Sequence, residues 1–181
     1  PNNIRFPYWL QPDKKYTGAA WYQKKVTIPE NWIENTVWLN LERPHWESTV
    51  WINGDKAGMQ NSLATPHRFN ISSYLKKGEN TIIVCVDNRT KAIDVGRNSH
   101  SISDHTQSNW NGIVGELSLQ SAREVYLENI QVYPNIETKT ASIKATVFNS
   151  TNSNESIKIE VEANLKNSEV EVKEKSFKFT V

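Results

Sequence analysis

The sequence holds a single cysteine, Cys85, so no disulfide can close within the chain and the disulfide-stapled small folds do not apply. The formal net charge is only +1, which leaves no basic field for nucleic acid or for an anionic membrane surface. No apolar run approaches the roughly 20 residues that a helical membrane span needs. A glycine-rich phosphate loop, a Cys-x-x-Cys pair, a His-Glu-x-x-His motif and a Gly-x-Ser-x-Gly elbow are all missing. These absences set aside nucleotide enzymes, zinc hydrolases and elbow-type serine esterases. Methionine occurs once and glycine seven times in 181 residues, and all of them lie at or before Gly115. The seven tryptophans and four histidines lie there too. From Glu116 onward there is none of these, nor any cysteine or aspartate. Two compositions in one chain predict two domains, with the chemistry in the first. The chain starts at Pro1, without a methionine and without the basic-then-apolar pattern of a signal peptide, and reads as a processed or engineered fragment.

What is present has a period of two. Val37, Leu39 and Leu41 alternate with Thr36, Trp38, Asn40 and Glu42. Val50-Trp51-Ile52 runs into Asn53-Gly54, a hairpin signal, because both central residues of a type I′ turn need positive φ. Thr81 to Val86 is a continuous apolar run, read as a strand buried on both faces and ending at Asp87-Asn88. No segment of helix length carries a 3.6-residue stripe. The prediction is an all-β chain: a jelly-roll β-sandwich over residues 1–120, followed by a second sandwich over 121–181. The tail shows runs at Leu127–Tyr133, Ala141–Asn149, Ser156–Asn164 and Val170–Thr180. An immunoglobulin-like sandwich needs about seven strands, so the second domain is expected to be incomplete.

Two clusters could carry chemistry. Arg43-Pro44-His45-Trp46-Glu47 lies between two strands, either as a polar, aromatic contact surface or as a turn in which Trp46 anchors and Arg43 pairs with Glu47. The second ends a connection of about 23 residues, 89–111, which is long for a loop without structure of its own. It contains Asp104, His105, Asn109 and Trp110. Neutral hydrogen-bonding groups beside an aromatic plate suit a sugar, whose hydroxyls bond to Asp and Asn while its apolar face lies on a ring. The alternative is a self-packed Ω-loop with Trp110 in the core. Trp9, Trp46 and Trp110 are the better candidates for exposed plates; Trp21, Trp38 and Trp51 sit in strands and are expected to be core or sheet-packing residues. No metal or cofactor is expected, a structural calcium on Asp87, Asp94 or Asp104 being the minor alternative. No pair of carboxylates has a spacing that recommends it as glycosidase acid and nucleophile.

In order, these motifs resemble the N-terminal sugar-binding domain of family 2 glycoside hydrolases, the family of β-galactosidases, β-glucuronidases and β-mannosidases. The pieces that carry the resemblance are Ala20-Trp21-Tyr22-Gln23-Lys24, Val50-Trp51-Ile52-Asn53-Gly54, Thr65-Pro66-His67-Arg68-Phe69-Asn70-Ile71, Gly78 to Asn88, and Asn111-Gly112-Ile113. Gln23 stands where the family often has Arg, and Gly115 stands where Gly-Ile-x-Arg has its Arg. The resemblance implies a galactose-binding-domain-like jelly roll, then the start of an immunoglobulin-like domain. It implies a (β/α)8 barrel in the full protein that carries both catalytic glutamates, so that none is expected here. It also implies that the 89–111 loop shapes the barrel's sugar pocket through Asp104 or Asn109, with His105 and Trp110 as neighbours. His45, Trp46 and Glu47 are the other candidate substrate contacts. The expected partners are a β-glycoside and the barrel, with no nucleic acid or membrane, and the expected location is periplasmic or secreted. The competing readings are an autonomous carbohydrate-binding module and a structural sandwich of a surface protein.

Overall fold

The computed structural model describes residues 16–89, 111–161 and 175–180. The chain divides into two units, Pro1–Ser121 and Ala122–Val181. Seven strands build the first: β1 (Ala19–Ile28), β2 (Thr36–His45), β3 (Glu47–Ile52), β4 (Asp55–Asn61), β5 (His67–Asn70), β6 (Gly78–Asp87) and β7 (Gly112–Ala122), the last running just across the boundary. Among the described residues the helical turns are two short 3-10 turns, Glu30–Trp32 and Ser72–Tyr74. One sheet has the order β1-β6-β3-β4, antiparallel throughout, and the other the order β5-β2-β7. The all-β, jelly-roll reading holds.

Alternation explains the core. Val37, Leu39 and Leu41 of β2 meet Val50 and Ile52 of β3 and Ile82, Val84 and Val86 of β6, with Phe69 and Ile71 closing the cluster. Each such side chain contributes roughly 1.5–3 kcal/mol on burial. The same period decides between the core and the sheet-packing roles expected of the tryptophans. If Val50 and Ile52 face inward, Trp51 faces outward; if Val37 and Leu39 face inward, so does Trp38 face outward. Trp21 lies opposite Cys85, between core-facing Val84 and Val86, and is 63% exposed. It stacks on Trp51 across β6 with ring centroids 5.2 Å apart. Nor is β6 buried alike on both faces, because Ile83 and Cys85 are only half-buried.

The Asn53-Gly54 turn forms as expected, with φ of 53° and 99° and Ile52 paired to Asp55. The Asn53 side chain also ties this turn to β6. It accepts the Thr81 N–H at 3.0 Å and donates to Asn80 Oδ1 at 2.8 Å and to the Tyr74 carbonyl at 2.9 Å.

Two fully buried polar residues, Ser48 and His67, meet between the sheets at 2.5 Å. His67 Nε2–H donates to the Ser62 carbonyl at 2.9 Å, which leaves Nδ1 to accept the Ser48 hydroxyl. Burial pushes the imidazole below its ordinary value of 6.5, the Ser62 bond opposing this in part. The unfolded chain then takes up this proton first. Stability is unaffected by this group above about pH 6.5 and falls as pH drops below it, by at most ~1.4 kcal/mol per pH unit, until the folded value is reached. Urea midpoints between neutral pH and pH 5 should show this slope, and His67→Gln, which cannot titrate, should lessen it. An unchanged slope in the variant would assign the acid sensitivity elsewhere.

The second unit holds β8 (Val125–Asn135) paired antiparallel with β9 (Thr140–Asn149), and β10 (Ser156–Val161) paired antiparallel with β11 (Lys175–Thr180). On β10, Ile157, Ile159 and Val161 are half-buried while Lys158 and Glu160 are exposed, as alternation requires. A shift of register between Glu128 and Gln131 coincides with Asn129 at φ 55°. The four strand-like runs read in the tail are thus these four strands among the described residues.

Candidate functional site

Several polar residues of the first unit lie at one end of the β1-β6-β3-β4 sheet. There the register sets Ala19, Asp87, Glu47 and Asn61 in a row across the four strands. The chain reaches this row from the other sheet. Strand β2 runs through His45, β3 starts at Glu47, and Trp46 alone makes the corner, with a cis peptide bond between His45 and Trp46. Of the two placements the sequence allows, a loop or a strand entry, the Arg43–Glu47 cluster takes the second, as two strand ends joined at Trp46. Pro44 and His45 are buried, and His45 is only 3% exposed. Its ring lies 5.6 Å from that of Trp46, tilted by 33°. Trp46 and Glu47 are half-buried, so the expected open indole plate is only partly presented. Arg43 pairs with Glu42 at 3.2 Å rather than with Glu47.

Beside the corner, Arg89 grips Asp87. Its Nε lies 2.9 and 3.1 Å from the two carboxylate oxygens, a terminal nitrogen lies 2.6 Å from Oδ2, and the Arg89 N–H donates to Oδ1 at 3.0 Å. These bonds, and then the charge of Asp87, raise the guanidinium above its ordinary value. The carboxylate is 6% exposed and the guanidinium 57%, so the pair presents donors outward and little acceptor. Glu47 Oε2 receives a long bond from Asn61 Nδ2, at 3.5 Å.

The 89–111 connection leaves from and returns to this same end. Asp104, His105, Asn109 and Trp110 lie outside the described residues, whereas both feet of the connection, at Asn88 and Asn111, are among them. At the first foot, Asn88 Oδ1 accepts the Gly18 N–H at 2.9 Å and Asn88 Nδ2 donates to the Tyr16 carbonyl at 2.9 Å. At the second, Asn111 Nδ2 donates to the Gly18 carbonyl at 2.7 Å. One main-chain residue thus receives both feet. Gly112 follows with φ +126°, and a Cβ there would stand 2.7 Å from the Tyr22 hydroxyl. Asn111-Gly112 was legible as a motif. The role of Gly18 was not, because its partners stand 70 and 93 residues away.

At Gly115, where the resemblance implied an arginine, a carboxylate comes in instead. Gly115 has φ +86° and a Cβ on it would run into the Glu42 carboxylate. Glu42 Oε2 accepts the Glu116 N–H at 2.6 Å. Strand β7 is therefore braced through its backbone.

Chemically, the end row can offer hydrogen bonds and a partial indole face to a polyhydroxylated ligand. Among the described residues no group of three or more His, Cys, Asp or Glu could hold a metal ion, and no helix is long and apolar enough to cross a membrane.

The family model described as "Glycosyl hydrolases family 2, sugar binding domain" matches residues 2–123. A putative β-glucuronidase of Formosa agariphila is 38% identical over 71 residues, 39% of this chain and 7% of that protein. A β-galactosidase of Priestia megaterium is 27% identical over 161 residues, 81% of this chain and 15% of that protein. Among solved structures, a glycosyl hydrolase family 2 member from Bacteroides cellulosilyticus superposes with a TM-score of 0.73 at 18% identity, over 92% of this chain and 22% of that one. The chain thus spans less than a quarter of the length of each of these three proteins.

Proposed function

Because the chain belongs to family 2 of the glycosyl hydrolases through its sugar-binding domain, we propose that it is the non-catalytic, pocket-shaping portion of a retaining exo-glycosidase acting on β-glycosides. In this reading the 89–111 connection presents Asp104, His105, Asn109 and Trp110 to a sugar held by a (β/α)8 barrel of the same protein, and the barrel supplies both reacting carboxylates. The observation that carries it is the double anchorage on Gly18. A loop that completes a neighbour's pocket must have its ends fixed, and these ends meet at one residue, Gly18, at the same sheet end as Glu47. Asp87, the carboxylate next to Glu47 in the row, is buried and gripped by Arg89, which suits it to bracing and not to attack on a sugar. The names of the relatives, a putative β-glucuronidase and a β-galactosidase, point to β-galactosides or β-glucuronides as the substrate class.

The 181-residue chain alone should release no nitrophenol from nitrophenyl β-galactoside or β-glucuronide above the buffer blank. A longer product of the same gene that includes the barrel should. Turnover by the short chain would overturn the reading.

A further inference from the structure

Strand β6 is paired on both sides as far as Asp87, which lies opposite Ala19 of β1 and Glu47 of β3. Beyond Asp87 the ladder stops, and side chains decide which way the chain leaves. Asn88 is buried and bonds inward, to Tyr16 and Gly18. Asp87 has the opposite parity. It shares its face with Cys85 and Trp21, and Trp21 on that face is 63% exposed. A carboxylate in this position would ordinarily stand in water. Asp87 is nevertheless buried, with Arg89 folded back against it.

The two residues are joined in two ways. The Arg89 main-chain N–H donates to Asp87 Oδ1, which closes an Asx turn over residues 87–89. The guanidinium then adds three bonds, from Nε and one terminal nitrogen to both carboxylate oxygens. The Asx turn needs only a side-chain oxygen, which Asn supplies as well as Asp. The fork is an addition, made at the expense of burying a charge. Buried pairs of this kind add little net stability, and their best-attested use is to hold one arrangement among several. Asp87 is also tied to the corner, because its carbonyl accepts the Trp46 N–H at 3.5 Å.

We propose that the Asp87–Arg89 pair is a positioning device, which fixes the direction in which the 89–111 connection leaves β6 and so where that connection meets the sugar. This role presupposes the pocket-shaping function proposed above. Neither residue acts on the sugar itself. Asn88 and Asn111 hold the two feet in place from the inner side, and the ion pair sets the exit of the first foot from the outer side. Displacing a binding group by about 1 Å is enough to weaken a site severalfold or more.

The test compares Asp87→Asn and Arg89→Lys in the longer, barrel-containing product, with nitrophenyl β-galactoside and β-glucuronide as substrates. Asp87→Asn keeps the acceptor for the Arg89 N–H and removes the buried charge, so the turn survives and the charged fork does not. Arg89→Lys keeps the charge and loses the planar fork. In both, KM should rise about tenfold while kcat stays within about twofold, the pattern left by lost contacts to bound substrate. In the 181-residue chain the Arg89 Nε–H NMR resonance should exchange slowly with solvent, and should lose that protection in Asp87→Asn. An unchanged KM in both variants would overturn the positioning role and leave the pocket-shaping function standing. A lower yield of active enzyme with unchanged KM would overturn it too, because the pair would then be a structural brace and nothing more. An Arg89 Nε–H that exchanges as fast as in the unfolded chain would overturn it by showing no clamp in solution. No turnover by the unmodified longer product would overturn the pocket-shaping function, and the positioning role with it.

Discussion

Asn88→Ala should lower the stability of the first unit by roughly 2–3 kcal/mol, seen as a lower urea midpoint with an unchanged slope. Asn88 is 1% exposed and uses both ends of its amide. Without it the half-buried Gly18 N–H loses its acceptor and the Tyr16 carbonyl its donor. An unsatisfied donor of this kind costs about 1–3 kcal/mol by itself, and the small cavity left by the amide adds to it. Asn111→Ala removes the other bond to Gly18 and should cost less, because it deletes a single bond. The two effects should not add. Both side chains hold one residue, so a double-mutant cycle should show a coupling of about 0.5 kcal/mol or more. Hydrogen exchange gives a local readout: the Gly18 amide should exchange much faster in Asn88→Ala. A fully additive cycle with an unchanged Gly18 amide would mean that the two feet are held independently.

Local alternation made part of this architecture readable. The Asn53-Gly54 turn, the inward face of β2 and the Ile157–Val161 stripe all follow from neighbours in sequence, and all are in the structure. For the tryptophans the same rule chooses between the two roles that the sequence left open. Position inside strands left Trp21, Trp38 and Trp51 as core or sheet-packing residues, and the parity of Val37, Val50 and Val84 sends all three to the outer faces, where Trp21 stacks on Trp51. The burial of His45 was not readable, because it depends on a single residue, Trp46, carrying the chain from one sheet to the other. Long-range side-chain bonds were equally out of reach. Asn88 looked like the end of a strand, and only the fold brings Gly18 to it. Of the candidate contacts, the structure places His45, Trp46 and Glu47 at the same sheet end as the two feet, and Asp104, His105, Asn109 and Trp110 fall outside the described residues.

The second foot sets a sharper steric limit. Gly112→Ala should cost roughly 2–5 kcal/mol, from two separable causes. The first is conformational: at φ +126° an L side chain is strained, by about 1–3 kcal/mol. The second is contact: the new methyl would stand 2.7 Å from the Tyr22 hydroxyl, and overpacking of that kind typically costs about 1–3 kcal/mol. Tyr22→Phe removes the clashing oxygen and leaves the ring in place. In that background Gly112→Ala should recover the contact share of the loss and none of the conformational share. Tyr22 is 42% exposed, so its ring can also yield outward, which puts the contact share at the low end of its range. Urea unfolding of the four proteins of this cycle measures both shares directly. Full recovery in the Tyr22→Phe background would mean that the backbone at Gly112 relaxes to negative φ. The foot would then be set by the Asn111–Gly18 bond alone, and the effect of Asn111→Ala should grow to match that of Asn88→Ala.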